Sequence, residues 1–424
     1  MRKSVKSRSV RGEVIRMCRH LPLAVALLFT ATGAWAQTPA RSSAPALTLQ
    51  AAVELAMSAN RTIAAARLRG AIDAAGVGVA AERPNPELTY ELSKETPRQA
   101  IGATVPIELS GKRQRRIELA NATLAVTDAD LARVIAEVRS EVRQAYFEVV
   151  GADMRVTLAD DVRQLAARAR DAARARVDAG DVPQSDLTQA ELALLNSEND
   201  VTAARGEAAA GRAELAALLG QPTDTPITLA DSLTGGRTPT LQEALAQATE
   251  VNAELRVLDR RIAEQAARVN LAKAMQTPDM SADSAFTYDA EPEFRYGWRV
   301  SVGVTLPIFT KHQAGVLVEQ ATLAQIKGER DATIAHMTGA IAAAILRANA
   351  AREQLTRYDT DILPRALEAE RQAQAAYNGG QVGSPVLIQA LQTARDTRQR
   401  GWQAGLDYQR ALADLERAIG AAIR

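Results

Sequence analysis

Gly111–Val177, GKRQRRIELANATLAVTDADLARVIAEVRSEVRQAYFEVVGADMRVTLADDVRQLAARARDAARARV, is one unbroken helix-forming run in a chain of 424 residues, and it contains no proline. Leu131, Ile135, Val138, Val142, Ala145, Val149, Ala152 and Val156 follow one another at alternating gaps of four and three. That is a heptad seam, the pattern of under-wound helices packed side by side. At a rise of 1.5 Å per residue, about 66 residues make a rod of roughly 100 Å. Ordinary globular helices run to about 11–12 residues. No compact domain has room for this rod, so the rest of the chain must account for it.

Outward from the rod, the chain repeats itself. Thr48-Leu49-Gln50 recurs as Thr240-Leu241-Gln242, Asn60 as Asn252 and Pro86 as Pro278, each at an offset of 192. Pro106 matches Pro307, Gly180-Asp181-Val182 matches Gly380-Gln381-Val382, and Leu219-Gly220 matches Ile419-Gly420, at offsets of 200 to 201. Matches in one order at so stable an offset mark an internal duplication. Each copy reads helix, strand, strand, very long helix, helix. The expected layout is a leader over 1–36, a first repeat over 37–220, a linker over 221–239 in an equatorial region, and a second repeat over 240–424. In the first repeat the opening helix is Leu49–Glu82, stopped by Arg83-Pro84-Asn85-Pro86. The second copy of the rod is about Lys311–Tyr377. Gln184–Leu219 and Thr240–Gln276, laid end to end, match the first rod in length, which suggests a through-going rod beside a neighbour built from two helices.

Strands are expected at about 87–93, 100–107, 280–288 and 296–308. Leu88, Tyr90 and Leu92 alternate with polar residues, as do Ile101, Ala103, Val105 and Ile107. In the second copy Trp298, Val300, Val302, Val304 and Leu306 alternate with Arg299, Ser301, Gly303 and Thr305. Such alternation marks strands with one apolar face. A hairpin packed on a soluble core would look the same, but heptad rods leave little core to cover it. A membrane barrel strand, apolar toward lipid and polar toward a lumen, has this pattern and length. Four strands cannot close a barrel, and an open edge is not tolerated in lipid, so the membrane reading requires oligomerisation.

Composition narrows the classes. A net charge of +1 gives no reason to invoke nucleic acid, and only 4% aromatics with 47% hydrophobic residues fits long packed helices more than ordinary cores. The first 36 residues read as a secretory signal: basic residues to Arg19, an apolar run Leu21–Ala31, and Ala34-Trp35-Ala36 as the cleavage site, with cleavage after Ala36. Translation from Met17 would leave a more usual signal. The single cysteine, Cys18, precedes the apolar run, so the mature chain has no thiol chemistry and no disulfide. Past the leader only His312 and His336 remain, without partners at ligand spacing, so neither a metal site nor a cofactor is expected. No nucleophile elbow, phosphate loop or paired-carboxylate pocket is present, and the chain is not expected to be an enzyme.

With these residues in view the chain resembles the TolC-like outer-membrane efflux family over essentially its whole mature length. The resemblance rests on the duplication, the strand pair before each long helix and the Gly-x-Val turns between long helices. The run Val105-Pro106-Ile107-Glu108-Leu109-Ser110-Gly111-Lys112-Arg113 is similar to the branch serving heavy-metal efflux of the cobalt–zinc–cadmium type. The resemblance implies a mainly α fold with a small β part: a long α-helical barrel, and four strands per protomer in a trimeric, 12-stranded transmembrane β-barrel. It implies a homotrimer in the outer membrane of a Gram-negative bacterium, extending into the periplasm. Such a trimer is the passive exit duct of a tripartite system, for heavy-metal cations delivered by an inner-membrane pump of the resistance-nodulation-division type through a periplasmic adaptor.

By the same resemblance, Gly180, Asp181, Val182 and Gly380, Gln381, Val382, Gly383 form the tip turns that dock the adaptor, and Asp186, Val386 and Gln389 stand at the entrance constriction. The family's gate has two aspartates one helical turn apart after the second turn. Here Val386 and Gln389 take those places, and Asp186 stands at the corresponding site of the first copy. Lys112, Arg113, Arg115 and Arg116 oppose the macrodipole at the start of the rod. One reading is a membrane-interface cluster snorkelling to phospholipid headgroups, and the other is a solvated charge run. Two other functions stay open: the same duct serving drug efflux or type I protein secretion, and a periplasmic coiled-coil spacer with no pore.

Overall fold

The computed structural model describes residues 46–292, 294–379, 381–382 and 384–423. The leader with its cleavage site after Ala36, and Gly380 and Gly383, lie outside them. The first repeat folds as α1 (Leu49–Ala59), α2 (Arg61–Ala81), β1 (Glu87–Leu92), β2 (Gln99–Ile107), α3 (Lys112–Asp178) and α4 (Gln184–Leu218). The second follows as α5 (Leu241–Val251), α6 (Ala253–Ala274), β3 (Met280–Ala290), β4 (Phe294–Val304), α7 (Gln313–Arg357), a π-helical turn at Tyr358–Ile362, α8 (Leu363–Asn378) and α9 (Ser384–Ile419).

The heptad seam of α3 does the packing expected of it. Val138, Val142, Val149 and Ala152 are buried, and Leu131, Ile135 and Ala145 are half-buried beside them. Along α4 the facing seam buries Leu187, Val201, Ala208 and Leu215. One half of α3 lies against α4, where Arg212 pairs with Asp153 and Arg174 with Glu191. Its other half lies against α2 and α6, through Thr127 to Asp73 and, at 3.0 Å, Thr123 to Glu264. A through-going rod therefore stands beside helices that divide its length between them.

Three sequence expectations need correction. The opening helix of each copy is broken, because Asn60 and Asn252 adopt non-helical backbone and cap the next helix with their side chains. Asn60 Oδ1 accepts from the N–H groups of Thr62 and Ile63, and its Nδ2 donates to the Leu218 carbonyl at 2.8 Å. Asn252 repeats the device with Leu255 and the Ala418 carbonyl. The break thus ties each opening pair of helices to the last turn of the closing helix. Gly220 completes the joint at φ +68°, where a Cβ would lie 2.3 Å from the Ala59 carbonyl oxygen.

The second rod starts at Gln313, and it is not a uniform α-helix. Pro364 has no N–H to donate, and just before it the Leu363 N–H bonds back to the Tyr358 carbonyl, opening one π-helical turn. Finally, β4 stops at Val304 and does not reach residue 308. Its partner β3 begins at Met280, so the ladder ends there, and Leu306, Ile308 and Phe309 stand exposed beyond it.

Candidate functional site

The four strands form a single antiparallel sheet in the order β1-β2-β3-β4, so the two copies meet along β2 and β3. The register joins Tyr90, Ile101, Phe286 and Trp298 on one rung and Leu88, Ala103, Ser284 and Val300 on another. Val105 with Ala282 and Val302, and Ile107 with Met280 and Val304, continue that face. It is apolar except for Ser284 and, at the end of β2, Gln99, and none of the described residues covers it: Trp298 is 80% exposed, Leu88 75% and Val300 65%. Phe286, Tyr288 and Tyr296 cluster at the β3–β4 end, with ring centroids 5.4 and 6.1 Å apart. The opposite face carries Glu87, Thr89, Glu91, Thr104, Asp283, Thr287, Arg295, Arg299 and Ser301, with Thr104 Oγ1 donating to Asp283 Oδ1 at 2.7 Å. A contiguous exposed apolar face of this extent requires lipid or protein against it. Among the described residues β1 and β4 keep unpaired outer edges.

Where the sheet meets the rod, the four cations are held within the fold. Lys112 is buried and its Nζ lies 2.8 Å from Asp279 Oδ1. Arg113 Nε donates to the Ala81 carbonyl at 2.6 Å, and Arg116 binds the Glu108 carboxylate and, at 3.2 Å, the Glu82 carbonyl. Arg113 and Arg116 therefore sit on the C-terminal end of α2, whose dipole favours cations and offsets the unfavourable start of α3. Arg115 pairs with Glu118, one turn along its own helix, at 2.7 Å.

At the far end of α3, Gly180 takes φ +80°. Its N–H bonds to the Val177 carbonyl and the Asp181 N–H to the Arg176 carbonyl, both at 2.9 Å, which is the Schellman way to end a helix. In the second turn the Gln381 N–H makes the matching bond to the Ala376 carbonyl at 2.8 Å, and Val382 follows it. Asp181 does not cap α4; that helix begins after Pro183 without a side-chain cap. Asp186 is exposed in its first turn, and Val386 and Gln389 are exposed on α9. The structure thus places Gly180, Asp181 and Val182 at the turn that ends α3, and the basic cluster at the opposite end of that helix.

Sequence reasoning missed a buried polar network where the two copies meet. Arg143, on α3, places Nη1 2.7 Å from Glu416 Oε1 and Nη2 3.1 Å from Gln409 Oε1, both on α9. Gln409 donates in turn to the carbonyls of Leu233 and Gly235 in the linker. Tyr146, one turn along, lies 2.7 Å from the Leu47 carbonyl and 2.9 Å from Asp231, and its oxygen accepts from the Asp231 N–H. Burial raises the Tyr146 phenol above its ordinary pKa, and the Asp231 carboxylate adds to the rise. No sequence signal marked it, because Arg143 stands beside Arg139 and Glu141, and Glu416 between Asp414 and Arg417, in helices that carry charge throughout.

Among the described residues no group of three or more His, Cys, Asp or Glu could hold a metal ion, and no helix is long and apolar enough to cross a membrane. The geometry is instead that of a half-lipophilic sheet on a long helical stalk, and comparison with known proteins agrees. Residues 52–221 match the model of the outer membrane efflux protein family. The cobalt-zinc-cadmium resistance protein CzcC of Cupriavidus metallidurans is 30% identical over 391 residues, 90% of this chain and 91% of CzcC. The fold resembles CusC, described in terms of folding and transmembrane channel formation, with a TM-score of 0.72, 17% identity, and coverage of 88% of this chain and 92% of CusC. It equally resembles the open-state MtrE outer membrane channel of Neisseria gonorrhoeae, with a TM-score of 0.71, 19% identity, and 89% of each chain covered. A sheet with one lipid-compatible face, a duplicated helical rod and a relative matched nearly end to end lead to one conclusion: this chain belongs to the outer membrane efflux protein family, as an efflux channel of the outer membrane.

Proposed function

We propose that the chain is the passive exit duct of a tripartite heavy-metal efflux system and works as a homotrimer. The observation that carries this reading is the sheet: one continuous exposed apolar face, a polar face behind it, and two open edges. Three such sheets joined edge to edge give twelve strands with a polar lumen, and lipid covers the outside. The rods then line a periplasmic tunnel, with the linker of residues 221–239 in its equatorial belt. Cobalt, zinc and cadmium cations are the proposed cargo, supported by the name of the relative CzcC. The turns at Gly180, Asp181, Val182 and at Gly380, Gln381, Val382, Gly383 meet a periplasmic adaptor, through which an inner-membrane pump of the resistance-nodulation-division type supplies energy. Asp186, with Val386 and Gln389, lines the entrance. In the basic cluster, Lys112, Arg113 and Arg116 hold the sheet–rod junction, and Arg115 faces the lipid headgroups.

Deletion of the gene from its host and growth on cobalt, zinc and cadmium salts tests the cargo. Loss of resistance, restored by the full chain, is expected. Unchanged tolerance to all three metals in the deletion strain overturns it.

A further inference from the structure

The turn from each strand pair into its rod is built on one plan and filled in two opposite ways. Aligned on Pro106 and Pro307, Gly111 at φ +67° and His312 at φ +52° each stand just before the rod. In the first copy this junction is closed on the fold itself: Glu108 is bound by Arg116, and Lys112 by Asp279. At the same positions the second copy carries Phe309 for Glu108, Leu317 for Arg116 and Gln313 for Lys112, so neither ionic fastening is available there. Phe309 is 98% exposed, and Ile308 and Leu306 are exposed beside it. Lys311 and His312 follow within three residues of Phe309; both are exposed, and among the described residues neither makes an ion pair. Leu306 has the parity of Val300, Val302 and Val304, so it prolongs the apolar face of the sheet past the end of the ladder. There the Ile308 N–H turns back to the Leu306 carbonyl at 2.9 Å, and among the described residues no strand pairs with residues 306–309.

Three large apolar side chains with a cation close behind them match the two-part chemistry of a phospholipid, acyl chain beside phosphate. Aromatic and basic residues collect at membrane–water interfaces for this reason. The segment lies at the rod end of the sheet, which in an outer-membrane channel is the periplasmic rim, and it continues the face that meets lipid. We propose that residues 306–312 are a lipid anchor carried by the second copy alone. Leu306, Ile308 and Phe309 enter the acyl region of the periplasmic leaflet, and Lys311, with His312 beside it, binds the phosphate of an anionic phospholipid. The first copy, its junction charges paired within the fold, has no equivalent apolar anchor, so each protomer is held at one point of its rim. The proposal rests on the outer-membrane duct reading and adds the class of lipid that this chain selects.

The test places a nitroxide at Phe309→Cys, and in a second sample at Val300→Cys, in the full chain reconstituted into vesicles of phosphatidylcholine and phosphatidylglycerol. The one native cysteine, Cys18, lies in the leader. Accessibility to oxygen, which concentrates in the bilayer, is compared with accessibility to a water-soluble nickel chelate. Oxygen should dominate at both positions. A label at 309 that meets the nickel chelate, or that is shielded from both reagents as it would be against a second copy of the chain, overturns the anchor if the label at 300 is in lipid. A label at 300 that is not in lipid refutes the lipid-facing sheet on which the duct reading stands. The headgroup is read by native mass spectrometry of the assembly in detergent, titrated with phosphatidylglycerol or with phosphatidylcholine. The wild type should bind phosphatidylglycerol more tightly, and Lys311→Gln should weaken that binding about fivefold while leaving phosphatidylcholine binding unchanged. No preference in the wild type, or a preference that survives the substitution intact, overturns the headgroup assignment.

Discussion

Arg143 is a buried charge at one of the places where the two repeats meet, reaching from α3 to α9. Its guanidinium and the Glu416 carboxylate are both buried, so each depends on the other. Arg143→Ala leaves Glu416 uncompensated and is expected to cost about 3–5 kcal/mol, whereas Arg143→Met with Glu416→Leu should cost far less. Urea unfolding of the detergent-solubilised chain measures both. Tyr146→Phe leaves the Asp231 N–H and the Leu47 carbonyl without the hydroxyl and should cost about 1–3 kcal/mol. The raised pKa of Tyr146 also fixes a sign. Its contribution is complete below the unfolded value near 10 and is lost as pH rises through the higher folded value. The stability difference between wild type and Tyr146→Phe should therefore hold through neutral pH and shrink only in the alkaline range, which urea unfolding at a series of pH values reads. None of this network was legible in advance. The seam positions can be read from spacing, but whether an adjacent arginine faces solvent or a partner 273 residues away depends on the tertiary fold.

Among the elements, the rods and strands were legible because their periods are unambiguous. Sixty-seven residues without proline make α3, and alternation marks β1, β2 and β4. β3 was weaker in sequence because Ala282 and Ser284 dilute its apolar face. The register reveals that face only through its neighbours Val105, Val302, Ala103 and Val300. Asn60 and Asn252 could be read as a repeat but not as helix breaks, because asparagine caps a helix only where its amide has somewhere to go; here that is the end of α4 or α9. The tip is tested at Gly180. Gly180→Val puts a β-branched residue at φ +80°, a local penalty of roughly 1–2 kcal/mol that the rod can absorb. The variant should assemble in the outer membrane as wild type does, yet restore metal resistance poorly in the deletion strain; full resistance would remove the tip from the docking role.

At the scale of the whole molecule the sheet decides between a duct and a spacer. If its apolar face meets lipid, Val300→Arg should cost about 2–4 kcal/mol of insertion if it sits near the bilayer midplane, and less toward an interface. Arg299→Ser, on the opposite face, should leave insertion nearly unchanged, and flotation of proteoliposomes after refolding separates the two. The duplication made the overall architecture readable. Each strand pair precedes a rod and each rod ends at a glycine turn, so lipid-compatible strands lie at one end and helix turns at the other. What periodicity could not supply was closure, since the outer edges of β1 and β4 pair with no other strand among the described residues. The central claim is that copies of this chain surround a continuous water-filled path. Planar-bilayer recording of the purified, assembled full chain tests it most directly: discrete, ion-conducting insertions are predicted, and assembled protein that enters the bilayer without passing current would contradict the account.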